Sequence, residues 1–133
     1  MTAYLNGKFM PIAEAKISPL DRGFLFADGA YEVIPVYGRY GFRQEEHMRR
    51  FQVSLDGIRL PKPHTDAEWR QIIRRLIAET EFDDQLLYIQ VTRGADVKRD
   101  PCFPKGVPQT VFLFTSPLVG PSAAQREKGV AAI

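Results

Sequence analysis

The sequence predicts an α+β fold in which two main helices cover one face of a largely antiparallel sheet. Two hairpin signals stand near the start of the chain, two helical patterns follow, and two strand-like segments come last. The 133 residues are 44% apolar and 26% charged, which is typical of one soluble globular domain.

Composition and charge argue against nucleic-acid and membrane partners. Eighteen basic and sixteen acidic residues leave a net charge of +2, too small to indicate a nucleic-acid-binding protein. No apolar run approaches the roughly 20 residues of a membrane helix, so we expect no membrane partner. The lone Cys102 cannot form an internal disulfide, and the N-terminal segment lacks a signal-peptide pattern. We therefore expect a cytoplasmic protein.

The two hairpins are predicted from tight-turn dipeptides. Asn6-Gly7 separates two short apolar segments and suits a type I′ turn, and Gly38-Arg39 lies in a similar setting. Pro35 has no N–H to donate, which predicts an edge strand, a bulge or a local break at that point.

The helices are predicted from apolar residues at helical spacing. A helix over residues 44–58 would place Met48, Phe51, Leu55 and Ile58 on one stripe. The sequence from Thr65 to Glu68 is typical of a capping box, followed by a second stripe. That stripe contains Trp69, Ile72, Ile73, Leu76 and Ile77.

Residues 86–94 and 109–116 are rich in β-branched and aromatic residues and are predicted strands. The loop between them is long and rich in proline, glycine and charge, which favours a functional role. We assign residues 1–116 to an N-terminal α+β domain and 117–125 to a linker. Residues 126–133 are expected to begin a truncated C-terminal domain with a strand.

No catalytic site follows from the residues alone. His47 and His64 lack partner motifs, and the histidines, cysteine and carboxylates show no metal-ligand spacing. Gly23 and Gly29 fit either turns or close backbone approach to a ligand. Arginines at the long loop and near the first helix suit an anion, although helix arginines are usually solvated.

Five segments nevertheless resemble, in order, the N-terminal domain of class IV pyridoxal-phosphate-dependent aminotransferases, and most of all D-amino acid transaminases. They are YLNG, DRGFLFADGAYEV, EEHMRRF, YIQVTRG and RDPCFP. The resemblance implies pyridoxal 5′-phosphate as cofactor, with Arg50 binding its phosphate and Arg49 as a solvated neighbour. It also implies that Tyr31 and Val33 line the substrate pocket.

The resemblance extends to the long loop, which in the family reaches into the partner subunit of a homodimer. D-amino acid transaminases carry an Arg-x-His pair there that binds the substrate carboxylate. Arg99 matches the arginine, but Pro101 replaces the histidine and cannot donate a hydrogen bond. This replacement puts a preference for D-amino acids in doubt, and Lys98 is a candidate replacement charge.

By the same resemblance, the lysine that forms a Schiff base with the cofactor lies beyond Ile133, and no lysine of this chain matches it. We expect the complete protein to transfer an amino group between an amino acid, such as D-alanine, and a 2-oxo acid. This chain alone should be inactive. Branched-chain aminotransferase, aminodeoxychorismate lyase and a non-catalytic anion- or partner-binding domain remain alternatives.

Overall fold

The computed structural model describes residues 1–131 of the chain. Its centre is a six-stranded antiparallel sheet with the strand order β2-β1-β6-β5-β3-β4. The strands are β1 (Thr2–Leu5), β2 (Lys8–Pro11), β3 (Gly29–Tyr37), β4 (Tyr40–Gly41), β5 (Gln85–Thr92) and β6 (Thr110–Pro117). The predicted α+β class and the antiparallel sheet are confirmed.

Helices α2 (Gln44–Gly57) and α3 (Asp66–Ala78) pack on one face of the sheet. Both predicted stripes turn inward: Phe51, Leu55 and the five apolar residues of α3 are buried. Thr65 and Glu68 form the predicted capping box at the start of α3. Burial of this apolar face is the main driving force for folding. Within residues 1–131, no helix has the length and apolar character needed to cross a membrane.

The strand register separates two faces of the sheet. Ile34 of β3 stands opposite Leu87 of β5, and Ile89 opposite Leu113 of β6, so their side chains share the helix-covered face. The alternate residues, among them Tyr31 and Tyr88, point to the opposite face because side chains alternate along a strand. Helices α2 and α3 do not pack on that opposite face.

The turn predictions are confirmed in detail. Asn6-Gly7 joins β1 to β2 and Gly38-Arg39 joins β3 to β4, each with positive φ at both residues. Pro35 lies in β3, where its carbonyl accepts a hydrogen bond from the Phe42 N–H at 2.7 Å. Its imide nitrogen therefore faces the side of the short strand β4, which agrees with an edge position.

Two short helices differ from the sequence prediction. Residues before β3 form a five-residue helix, α1 (Arg22–Phe26), which is too short to produce an apolar stripe. The predicted strand near residue 127 is wrong, because α4 (Ala123–Lys128) occupies that segment and is capped by Ser122 and Gln125. The division into domain, linker and second domain stays a prediction, and residues 132–133 lie outside the described part.

Candidate active site

The candidate site lies at the N-terminal half of β3. Strand β4 pairs only with Val36 and Tyr37, so the part of β3 that contains Tyr31 and Glu32 has a strand neighbour on the β5 side alone among the described residues. Tyr31 is exposed on the open face, whereas Glu32 is buried on the helix face. One short segment thus presents an aromatic group and a carboxylate on opposite sides of a sheet edge.

Glu32 binds Arg50 of α2 in a two-point ion pair. The Arg50 Nε donates to Glu32 Oε2 at 2.9 Å, and Nη2 donates to Oε1. Glu32 is only 4% exposed. A planar guanidinium matches both oxygens of a carboxylate, so the pair fixes the plane of Arg50.

Two further groups complete the environment of Glu32. The His47 Nδ1 lies 3.0 Å from Oε1, and the Val33 N–H donates to the same oxygen at 3.1 Å. Burial by itself would raise the pKa of Glu32, but hydrogen bonds from Arg50, His47 and Val33 hold that pKa below its ordinary value. The carboxylate is therefore ionised at neutral pH and holds Arg50 by charge as well as by geometry.

The other end of the Arg50 guanidinium is available to a ligand. Its side chain remains 67% exposed, and the bonds to Glu32 use Nε and Nη2, which leaves the Nη1 end facing outward. Hydrogen bonds and charge from Glu32 raise the pKa of Arg50. An oriented, permanently charged guanidinium is suited to a phosphate or carboxylate. Arg49, the preceding residue of α2, is exposed.

Tyr31 and Val33 lie on the open face of the sheet, as alternation from Glu32 requires. The Tyr31 ring is 66% exposed and stacks on Tyr88 of β5, with 6.0 Å between centroids and 18° between planes. Tyr88 in turn contacts Phe114 of β6 at 5.3 Å. These rings form a flat apolar surface beside the edge that carries Arg50.

Gly23, before β3, and Gly29, its first residue, allow close packing against β5. A Cβ at Gly29 would lie 2.7 Å from the Val91 carbonyl oxygen, and one at Gly23 would overlap the Thr92 methyl group. Asp21 stabilises the start of α1, because its Oδ1 accepts a hydrogen bond from the Gly23 N–H at 2.8 Å. Its Oδ2 accepts from the Thr110 hydroxyl of β6 at 2.6 Å. The close neighbour of both glycines is therefore strand β5.

Directly before β3, Asp28 forms ion pairs with Arg22 and Arg93, both of which are largely buried. The Arg22 Nε and the Arg93 Nε each donate to Asp28 Oδ2 at 2.8 Å. Burial would raise the Asp28 pKa, but hydrogen bonds from Arg93 and Arg22 hold it below its ordinary value. Arg93 also donates to the Ile58 carbonyl at 2.6 Å, so this cluster ties α1 to the end of α2 and to the long loop.

Arg99 lies in that long loop, residues 93–109, between β5 and β6. Its side chain is exposed, and Cζ lies 4.8 Å from the centre of the Phe26 ring of α1. Lys98 is engaged locally, with Nζ 3.0 Å from Asp100 Oδ2. Pro101 supplies only its carbonyl, which accepts from Arg22 at 3.4 Å.

The four predicted site residues therefore fall in two places. Tyr31 and Val33 lie on the open face at the edge of β3, and Glu32 holds Arg50 on the helix side of the same edge, whereas Arg99 is held against α1 by Phe26. Sequence reasoning missed Glu32, His47, Arg22 and Asp28. For Glu32 and His47 a signal existed, because a glutamate on the helix-covered face of a strand needs a partner on the packed helix.

Comparison with known proteins identifies the family of this chain. A family model described as "Amino-transferase class IV" matches residues 29–132, which is most of the chain. This chain belongs to the class IV aminotransferase family. The match includes β3, both main helices and the long loop, so every residue of the β3-edge site lies within the class IV aminotransferase region.

Two solved structures and one curated relative show how far the likeness extends. A D-alanine aminotransferase of Staphylococcus epidermidis is 37% identical over 131 residues, covering 98% of this chain and 46% of that protein. The Escherichia coli branched-chain amino acid aminotransferase superposes with a TM-score of 0.83 at 20% identity, over 93% of this chain and 42% of that chain. A 4-amino-4-deoxychorismate lyase from Pseudomonas aeruginosa superposes with a TM-score of 0.75 at 25% identity, over 96% of this chain and 44% of that chain. The chain spans about half the length of these class IV proteins.

Proposed function

We propose that this chain is the N-terminal half of a pyridoxal-phosphate-dependent aminotransferase. The observation that carries the proposal is the Glu32–Arg50 pair, in which one end of a guanidinium is fixed and the other end is exposed. Membership of the class IV aminotransferase family supports the reaction class. The complete protein would transfer an amino group between an amino acid and a 2-oxo acid.

The donor set at the β3 edge fits the phosphate of pyridoxal 5′-phosphate. Arg50 would bind the phosphate through its outward Nη1 end, while Glu32 keeps the guanidinium plane fixed. His47 holds the Glu32 carboxylate from the other side and limits its rotation. The bound cofactor would supply an electron sink for the bond that breaks at the substrate α-carbon. This chain supplies binding and orientation.

Substrate binding would use Tyr31, Val33 and Arg99. The exposed Tyr31 ring and Val33 would line the substrate pocket on the open face of the sheet. Arg99 would bind the substrate carboxylate across a homodimer, from the loop of one subunit into the cleft of its partner. The lysine that bonds covalently to the cofactor is proposed to lie beyond Ile133, in a polypeptide that continues past this chain. This half would then be inactive alone, and the complete enzyme would be cytoplasmic.

D-Alanine is the first substrate to test, because the relative named D-alanine aminotransferase shares 37% identity with nearly the whole chain. The loop, however, has Pro101 where a second donor to the carboxylate is expected, and Lys98 is already paired with Asp100. We therefore expect carboxylate binding to depend on Arg99 alone, with weak discrimination between D- and L-amino acids.

The first test is the intact mass of the natural full-length protein after borohydride reduction, which makes a Schiff base permanent. A mass well above 15.1 kDa that carries a pyridoxyl group is expected. A bare mass of 15.1 kDa would contradict the proposal and favour a non-catalytic domain that binds an anion or a protein through Arg50 and Arg99.

The second test separates the enzyme classes of this fold. Amino-group transfer from D-alanine to 2-oxoglutarate would support the D-amino acid type, and transfer from L-leucine would support the branched-chain type. Release of pyruvate from aminodeoxychorismate would support the lyase, whose fold this chain shares with a TM-score of 0.75.

A further inference from the structure

Arg22 is a buried arginine whose guanidinium is directed into the long loop. Only 3% of its surface is exposed. Its Nη1 donates to the carbonyl oxygen of Asp100 at 2.6 Å and to that of Cys102 at 3.2 Å. Its Nη2 reaches the carbonyl of Pro101 at 3.4 Å. Three consecutive loop carbonyls thus converge on one side chain.

The charge of Arg22 is balanced on its other side. Its Nε donates to the Asp28 carboxylate at 2.8 Å, and its backbone N–H donates to the Gly94 carbonyl at the start of the loop, at 2.9 Å. A buried charge is tolerated only when it is paired and hydrogen-bonded, and here all sides of the guanidinium find acceptors. Breaking the loop contacts would leave a buried cation short of partners, so the held loop conformation is strongly favoured.

The carbonyl held most closely belongs to the residue directly after Arg99. The Arg99 guanidinium rests on the Phe26 ring with Cζ 4.8 Å from the centroid, and Arg22 Cζ lies 4.7 Å from the same centroid. Arg22 therefore holds the backbone directly after Arg99, and Phe26 contacts the Arg99 side chain.

We propose that Arg22 is a positioning residue, which together with Phe26 fixes the 93–109 loop and directs Arg99 toward the substrate carboxylate. This inference rests on the proposed function, because it assigns Arg99 a substrate. Arg22 itself touches no substrate. Lysine at position 22 would keep the charge facing Asp28, but a single ammonium lacks the planar fork that reaches Asp28 and three carbonyls together.

The first measurement is hydrogen–deuterium exchange in the full-length protein, which does not depend on activity. In Arg22→Lys we expect backbone amides of residues 96–104 to exchange roughly 10-fold faster, as the loss of a charge-assisted hydrogen bond implies. The matched control is Arg39→Lys, since Arg39 likewise joins a carboxylate, Asp83, to a carbonyl, that of Ile77, far from the loop in sequence. Unchanged exchange of the loop in Arg22→Lys would overturn the proposal.

The second measurement is steady-state transamination with D-alanine or the preferred amino acid. Arg22→Lys should raise KM roughly 10-fold while kcat changes less than about twofold, and Arg39→Lys should alter neither. Because Arg22 acts through Arg99, the double variant Arg22→Lys/Arg99→Ala should have the KM of Arg99→Ala alone. Additive effects in the double variant, or an equal fall in kcat, would overturn the positioning role.

If Arg22→Lys does not accumulate as folded protein, Phe26→Leu provides the same test with the Arg22–Asp28 pair intact, and the same rise in KM is expected. Failure of the proposed function is distinguishable. A wild-type protein that does not transaminate refutes the proposed reaction and the role of Arg99, whereas loop exchange still decides whether Arg22 holds the loop.

Discussion

The carboxylate of Glu32 and the guanidinium of Arg50 face each other across the contact between β3 and α2, joined at two points, with Nε 2.9 Å from Oε2. One partner is buried and the other is two-thirds exposed. This asymmetry orients a surface arginine without covering it. An arginine held in this way loses less conformational entropy on binding an anion than a free surface arginine does.

Replacement of Arg50 should therefore weaken cofactor binding far more than replacement of its neighbour. We expect Arg50→Ala to raise the dissociation constant of pyridoxal 5′-phosphate roughly 10- to 100-fold, the range expected for a lost charge-assisted hydrogen bond. Arg49→Ala, on the adjacent exposed position, should leave it nearly unchanged. Fluorescence titration of the apo full-length protein measures both. Equal affinities of the two variants would rule out Arg50 as the phosphate ligand.

Acid should destabilise the fold through Asp28 and Glu32. Both carboxyl groups have folded-state pKa values below their ordinary values of about 4, so both stabilise the fold above that pH. This contribution is lost as the pH falls through the folded-state pKa values. Asp28→Asn removes one titrating group and leaves two buried arginines short of a charge, at a cost of about 3 kcal/mol.

Thermal unfolding between pH 7 and pH 3 tests this expectation. Asp28→Asn should unfold at a lower temperature than wild type at pH 7, with the difference shrinking as the pH falls below about 4. Asp66→Asn is the control, because Asp66 forms an exposed pair with Lys62, and its unfolding temperature should stay close to that of wild type. A constant difference across the pH range would contradict the assigned ionisation of Asp28.

Local signals in the sequence were sufficient for most elements. Asn6-Gly7 and the capping box at Thr65 are short patterns with one strongly preferred backbone geometry, and each appears where predicted. Ser122 and Gln125 carry a similar signal inside the predicted linker, and helix α4 begins there. Helix α1 gave no periodic pattern because it has only five residues.

The contacts between residues of the candidate site could not be predicted from local sequence patterns. Glu32 and Arg50 are 18 residues apart, and Arg22 and Asp100 are 78 apart. Periodicity alone does not distinguish Arg50 from Arg49, and in the structure the packing of α2 on β3 pairs Arg50 with Glu32. The resemblance to class IV aminotransferases identified Arg50, Tyr31 and Arg99 as candidates. It did not reveal that Glu32 holds Arg50, or that Arg22 binds the loop next to Arg99.

His64 should make stability depend on pH near neutrality. Its Nε2 lies 3.0 Å from the hydroxyl of the buried Tyr4, and its ring packs edge-on against Trp69 at 4.9 Å. Burial lowers the pKa of His64, although the Glu68 carboxylate opposes the shift. Below the ordinary value of about 6.5 the unfolded chain takes up a proton that the folded chain does not, so stability falls as the pH falls.

Unfolding temperatures between pH 7.5 and pH 5 check this sign. His64→Gln keeps an acceptor for Tyr4 but does not titrate, so its profile should be flatter than that of wild type over this range. Glu68→Gln removes the opposing charge and should make the profile steeper, while its side chain can still close the capping box at Thr65. An equally steep profile in His64→Gln would show that another group titrates.

Gly23 and Gly29 offer a final test of why glycine occurs just before β3 and at its first position. An alanine methyl at position 23 would overlap the Thr92 methyl group, whereas one at position 29 would meet the backbone oxygen of Val91 at 2.7 Å. We expect each alanine variant to lose about 1–3 kcal/mol of unfolding free energy, the usual cost of overpacking. The shortest contact at position 23 is with a side chain that can be shortened, whereas the shortest contacts at position 29 are with backbone atoms and the Thr92 methyl group lies farther away, at 3.2 Å.

Thr92→Ser removes the methyl group but keeps the hydroxyl that accepts from the Gly94 N–H at 3.1 Å. Chemical denaturation of the double variants should therefore show that Thr92→Ser restores much of the stability lost in Gly23→Ala and little of that lost in Gly29→Ala. The restoration is expected to be incomplete, because Asp21 Oδ1 would also lie 3.0 Å from the new Cβ. If Gly23→Ala instead proved stable but weakened binding of the cofactor or the amino acid, close approach to a ligand would explain the glycine better than packing against β5.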